Sequence, residues 1–226
     1  MVTSKWAGLI VAFGFVAAAS TASATTISFE FANVTNARVS FGGGNFAFVD
    51  GLGGFDFRIT ASDTTPALAG LNGNIDGTFQ IGTISPNGAG SIANVTTVSP
   101  TATFRIYDGV SSYFSGDLSW ADIAQAGTGG TINTQGTVNL TNLVYGGLNV
   151  DLLALASQPD AIVSATFQFV PARTLAQLKA QSAASPLRTS YSGNLYSVSL
   201  PDGGATASLL GLALVGLGVF RSRLKL

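Results

Sequence analysis

Across the central part of the chain, apolar residues recur at every second position. Ile27, Phe29 and Phe31 alternate with Ser28 and Glu30, and Phe55, Phe57 and Ile59 with Asp56, Arg58 and Thr60. Phe79 and Ile81 sit among Thr78, Gln80 and Gly82; Ala102, Phe104 and Ile106 among Thr103, Arg105 and Tyr107. Val163, Ala165, Phe167 and Phe169 alternate with Ser164, Thr166 and Gln168, and Tyr196, Val198 and Leu200 with Ser197 and Ser199. One buried and one wet face is the pattern of antiparallel strands. Turn signals separate the runs, among them Gly42-Gly43-Gly44, Gly53-Gly54, Asp76-Gly77, Pro86-Asn87-Gly88, Asp108-Gly109, Gly129-Gly130 and Gly146-Gly147. Many short strands with such turns predict an all-β fold, an antiparallel β-sandwich of jelly-roll type. The run from Val138 to Tyr145 changes parity at Asn142, which predicts a bulge or a strand switching sheets.

Helix is scarce. Thr174 to Ala184 is the best case: Thr174 and Gln177 have capping-box spacing, and Leu175 and Leu178 share a face. Trp120 to Ala126, with Ser119 and Asp122 as a second capping pair, predicts one or two turns. Val150 to Ser157 fits a short helix or a buried strand, and periodicity does not choose. No linker divides the region, so residues 25–199 are expected to form one domain.

The two ends differ from this body. Lys5, the apolar run Ala7 to Ala19 and the A-x-A site Ala22-Ser23-Ala24 read as a signal peptide over residues 1–24, cleaved by signal peptidase after Ala24. Its apolar run of 13 residues is short of the roughly 20 that span a bilayer as a permanent anchor. At the other end, Leu200-Pro201-Asp202-Gly203-Gly204 breaks regular structure. Ala205 to Phe220 follows without a charge, and Arg221, Arg223 and Lys225 close the chain. As a transmembrane helix this segment would span about 24 Å, which basic residues snorkelling at its end can extend toward the roughly 30 Å hydrocarbon core. The positive-inside rule holds the basic tail in the cytoplasm. A core helix fits poorly, because the run is apolar on every face; a plain anchor and a sorting signal both fit.

The segment LPDGGATASLLGLALVGLGVFRSRLKL resembles the C-terminal sorting region of the PEP-CTERM class, most closely its VPDSG variant. It departs from that variant in Leu200 where Val is usual, in Gly203 where Ser is common, and in Ser222 and Leu224 interrupting the basic tail. The resemblance implies recognition by an exosortase, a membrane-embedded Cys protease-transpeptidase, with Pro201 and Asp202 central to it. It also implies an exported protein, held first in the inner membrane by residues 205–220. Such a protein then reaches the cell surface or extracellular matrix of a Gram-negative-type bacterium, often in association with exopolysaccharide and biofilm.

Composition narrows the chemistry of the body. The chain has 226 residues, no Cys and no His, which excludes thiolate nucleophiles, disulfides, Cys/His metal sites and His-based triads. Charged residues are 9% of the chain and the net charge is −1, without the basic stripe of a nucleic-acid binder. Between Thr25 and Leu200 no G-x-S-x-G elbow or S-x-x-K motif occurs, and no enzyme activity, cofactor or metal is expected. Asn72, Asn74 and Asp76 before Gly77 have the spacing of half an EF-hand loop, but Thr83 stands where the closing Glu belongs, so an Asn/Gly loop is expected. Asp50 and Asp56 flank Gly51 to Gly54 and could form a glycosidase pair or a calcium site. Alternation with Phe55 and Phe57, and Arg58 alongside, places Asp56 instead on a wet strand face. Asp108 and Asp117 bracket Tyr113 and Phe114, two aromatics placed to stack on sugar rings. Asn33, Asn94 and Asn139 lie in N-x-T sequons that carry little meaning in a bacterial protein. Two functions stay open for the body: a structural, matrix-associated envelope protein, or a carbohydrate-binding or adhesive module.

Overall fold

The computed structural model describes residues 25–62, 64–88, 90–98, 101–126 and 132–199. Residues 26–198 form one compact unit. Thirteen strands follow in chain order: β1 (Thr25–Asn33), β2 (Arg38–Gly42), β3 (Asn45–Val49), β4 (Phe57–Ala61), β5 (Asn72–Asp76), β6 (Thr78–Asn87), β7 (Gly90–Thr97), β8 (Thr103–Tyr107), β9 (Tyr113–Gln125), β10 (Ile132–Val144), β11 (Ala161–Gln168), β12 (Leu187–Thr189) and β13 (Tyr191–Ser199). Among the described residues two short α-helices, α1 (Val150–Ala156) and α2 (Leu175–Ala180), and two single 3-10 turns, Leu52–Gly54 and Pro66–Leu68, interrupt them.

The all-β expectation holds, but the sandwich does not. The strands form one sheet that closes on itself. The ring runs β10-β11-β13-β1-β4-β5-β8-β9 and returns from β9 to β10, giving an eight-stranded barrel. A flap β7-β6-β3-β2-β12 extends from β9. The branching follows from the length of β9. Its first part, Tyr113 to Asp117, pairs with β8; its last part, Asp122 to Gln125, pairs with β7; β10 runs beside both. A bulge at Ala121 makes the change of partner, since Val138 faces Trp120 while Thr137 faces Asp122.

That bulge also explains the helix expected over Trp120 to Ala126, which is strand. Trp120 and Ile123 are both buried, and the extra residue between them creates the three-residue spacing of a helix face. The parity change at Asn142 is a true bulge: Asn142 has φ 52° and the β9–β10 register shifts between Thr141 and Val144. Val150 to Ala156 is helical, capped by Asn149, whose side chain accepts from the Asp151 and Leu152 N–H groups. The capping box at Thr174 and Gln177 is present, but α2 ends at Ala180, where Gln181 turns extended and gives its carbonyl to the Gly43 N–H at 2.7 Å.

Two strand faces are reversed from expectation. In β13 the inward residues are Tyr191, Leu195 and Ser197, while Tyr196 is 47% exposed. Ser197 tolerates burial because its Oγ donates to the Asp160 carbonyl at 2.6 Å. Before β4 a bend at Asp56 turns Phe55 outward and Asp56 inward.

The core is aromatic. Phe31, Phe57 and Phe104 meet with centroids 4.9–5.9 Å apart. A second cluster joins flap to barrel: Phe46 contacts Phe41, Phe79 and Trp120 at 4.9–5.3 Å, and Phe41 reaches Phe167 at 5.6 Å. Each buried Phe contributes about 2 kcal/mol from burial. Glycines make room for the rings. A Cβ on Gly136 would lie 2.0 Å from Trp120, and one on Gly193 2.4 Å from Phe31. Apolar residues face in while Glu30, Arg58 and Thr60 face out, the reverse of an outer-membrane barrel with its greasy exterior.

Candidate functional site

Two neighbouring features at the β4–β5–β8 side carry chemistry. The first is an outward strip of aromatic and charged groups. In β8, Phe104 and Ile106 are buried, so alternation turns Thr103, Arg105 and Tyr107 outward. Tyr107 pairs in register with Tyr113, their rings 5.1 Å apart, and Phe55 extends the row at 6.0 Å from Tyr107. Arg105 lies over the Tyr113 ring at 5.5 Å, and its Nε donates to Asp76 Oδ2 at 2.8 Å, as does Thr103 Oγ1 at 3.2 Å. With both partners about two-fifths exposed, the ion pair adds little stability and serves to orient the guanidinium. Rings beside a fixed donor–acceptor pair suit a flat ligand with one apolar face and hydroxyls at its rim.

Of the two aromatics expected to contact a glycan, Tyr113 is 42% exposed and belongs to this strip. Phe114 is fully buried, pointing into the core, and presents nothing to a ligand. Tyr107, Phe55 and Arg105 are the members that sequence reasoning missed. Alternation about Phe104 and Ile106 signalled that Tyr107 and Arg105 face out, but nothing local places Phe55 beside them.

Asp108 and Asp117 hold the strip's edges. Asp108 Oδ1 accepts from the Val110, Ser111 and Ser112 N–H groups, and Oδ2 from the Tyr145 hydroxyl at 3.0 Å. These donors, Val110 first, hold its carboxyl below the usual carboxylate range. Asp117 Oδ2 accepts from the Asn142 amide at 2.8 Å.

The second feature is acidic and half sunk. Asp56, expected on a wet face, is 2% exposed. Its Oδ2 accepts from the Ile75 N–H at 2.8 Å, while Oδ1 has no partner. Asp50 lies exposed beside it, close enough to share a proton. The Asn74 amide donates to the Gly54 carbonyl at 2.9 Å and to Asp50 Oδ1 at 3.4 Å. Burial first, then the charges of Asp50 and Asp76, push the Asp56 carboxyl up to about 7 against the Ile75 hydrogen bond. The Tyr191 hydroxyl, also buried and unpartnered, is raised by burial and by both carboxylates. The segment from Asn72 to Asp76 is therefore strand β5 rather than a loop. Asn74 is buried, Asp76 lies at the strip and Thr83 is exposed in β6, so no EF-hand half-loop forms.

Asn33 is occupied structurally, donating to the Val34 and Ala37 carbonyls and accepting from the Tyr191 N–H, whereas Asn94 and Asn139 are exposed. Among the described residues no cluster of three ionisable metal ligands occurs, and no helix is long and apolar enough to cross a membrane. Ala22, Ala24, the motif Leu200 to Gly204, the segment 205–220 and Arg221, Arg223 and Lys225 lie outside the described residues.

Residues 200–224 match the family described as the VPDSG-CTERM motif. This agrees with the resemblance of that segment to a PEP-CTERM/VPDSG-CTERM sorting signal. The motif implies processing by an exosortase and fits an exported, surface-directed protein. No curated protein and no solved structure matches the chain.

Proposed function

We propose that this chain is an exported, non-enzymatic structural protein of the cell envelope or extracellular matrix. Signal peptidase removes residues 1–24, and residues 205–220 hold the precursor in the inner membrane with Arg221, Arg223 and Lys225 in the cytoplasm. An exosortase then acts at Leu200–Gly204 and delivers the body to the surface or matrix of a Gram-negative-type bacterium, beside exopolysaccharide. The match at residues 200–224 carries this reading. A protease working in the membrane needs its bond held extended at the interface, and Pro201, Gly203 and Gly204 are residue types that disfavour helix. The non-enzymatic reading is supported by the work the acids already do: Asp108 and Asp117 tie loops, and Asp76 anchors Arg105. Replacing Pro201 and Asp202 together should leave the full-length precursor in the inner membrane. Maturation of that variant at the normal rate would overturn the reading.

A second reading, a carbohydrate-binding or adhesive module, is favoured by the Phe55–Tyr107–Tyr113 strip with Arg105 beside it. Saturable binding of the mature protein on a glycan array, lost in Tyr107→Ala and Tyr113→Ala, supports this function; no binding at all leaves the structural one.

A further inference from the structure

We propose that Asp50, Gly54, Asp56 and Asn74 form a binding site for a hard divalent cation of the calcium type. Asp56 is almost wholly buried, yet its Oδ1 has no hydrogen-bond partner, and the charges that act on its carboxyl are those of Asp50 and Asp76. Two adjoining carboxylates in such a place are neutralised by a shared proton or by a cation, and the unpartnered Oδ1 leaves lone pairs for a cation. The Tyr191 hydroxyl is a second buried polar group without a partner, and it feels the charge of both carboxylates.

The Asn74 amide stands where the positive charge belongs, donating to Gly54 O and toward Asp50 Oδ1. Turning that amide by half a rotation presents Oδ1 instead of NH2, a choice that the hydrogen-bond network decides. The site then offers four oxygens of carboxylate, amide and carbonyl type from two segments, the stretch from Asp50 to Asp56 and β5, which is donor chemistry for Ca2+ rather than for a softer metal. Asp50 is exposed, so the ion has a way in and water can complete its shell. With only two carboxylates, affinity belongs in the range of extracellular modules, about 10⁻⁴–10⁻³ M. The site lies in the loop that carries Phe55, so an ion there also braces one end of the aromatic strip.

The test uses the full chain in detergent at pH 8, stripped with chelator, then titrated with CaCl2 or MgCl2 while thermal unfolding is followed. Ca2+ at 10 mM should raise Tm by about 3–10 °C, with a smaller response to Mg2+. Calorimetry should show one ion per chain. Asp56→Asn and, because burial could make that variant fold poorly, the exposed Asp50→Asn should each abolish the shift. A Tm indifferent to Ca2+ but rising on acidification would mean that a proton alone neutralises the pair, and would overturn the site. So would an equal Ca2+ response in Asp50→Asn.

Discussion

Asp56 concentrates the cost of burying charge without a cation. Its folded-state carboxyl titrates near 7, against 3.8 in the ordinary range, so folding takes up a proton there. A group raised in this way leaves stability intact below about 3.8 and erodes it as pH climbs toward 7. In chelating buffer, Tm should therefore fall between pH 5 and pH 8. The loss should amount to at most about 4 kcal/mol, since each tenfold change in proton affinity is worth roughly 1.4 kcal/mol. Asp56→Asn should flatten the profile; a flat profile in the parent protein would contradict the burial argument. The alternation of Phe55, Phe57 and Ile59 put Asp56 on a wet face, and the error lies in where the strand begins. Period two holds only inside a strand, and β4 starts at Phe57. Phe114 is the opposite lesson: alternation with Ile106 across β8 and β9 governs it, and its neighbour Tyr113 takes the outer face.

At the level of elements, β1, β4, β6, β8 and β11 were legible because a large apolar residue at every second position leaves one register. The β9 bulge was not, since inserting Ala121 converts strand spacing into helix spacing for Trp120 and Ile123. Which reading is right depends on β10, seen only in three dimensions, where Gly136 accommodates the Trp120 ring. Gly136→Ala should be destabilising by about 1–3 kcal/mol, as expected for overfilling a packed core. Denaturant unfolding would measure it. An unchanged midpoint would mean that Trp120 relaxes freely. The cap of α2 was readable because Thr174 and Gln177 satisfy orphan N–H groups locally, whereas its early end depends on Gly43, more than a hundred residues away.

For the whole molecule, barrel closure was beyond reach of the sequence because every pairing that closes it is non-local. β1 neighbours β13, with the Tyr191 N–H on Asn33 Oδ1, and β10 pairs with both β9 and β11. Alternation says that a strand has a greasy face and is silent on whether the sheet curls shut or stacks on another. Deleting residues 191–199 should expose the edges of β1 and β11 and abolish cooperative unfolding by circular dichroism; a sharp transition in that truncation would show that closure is dispensable.

The adjacency of the first and last strands also sets a timetable. β1 comes first in the order of synthesis but waits for a partner encoded some 160 residues later. High contact order of this kind makes ring completion slow and late. Until Tyr191 to Ser199 is in place, the ring lacks the strand that joins β11 to β1. The stretch that completes it runs directly into the sorting motif at residue 200, so the end of the chain that closes the barrel is also the end that carries the signal.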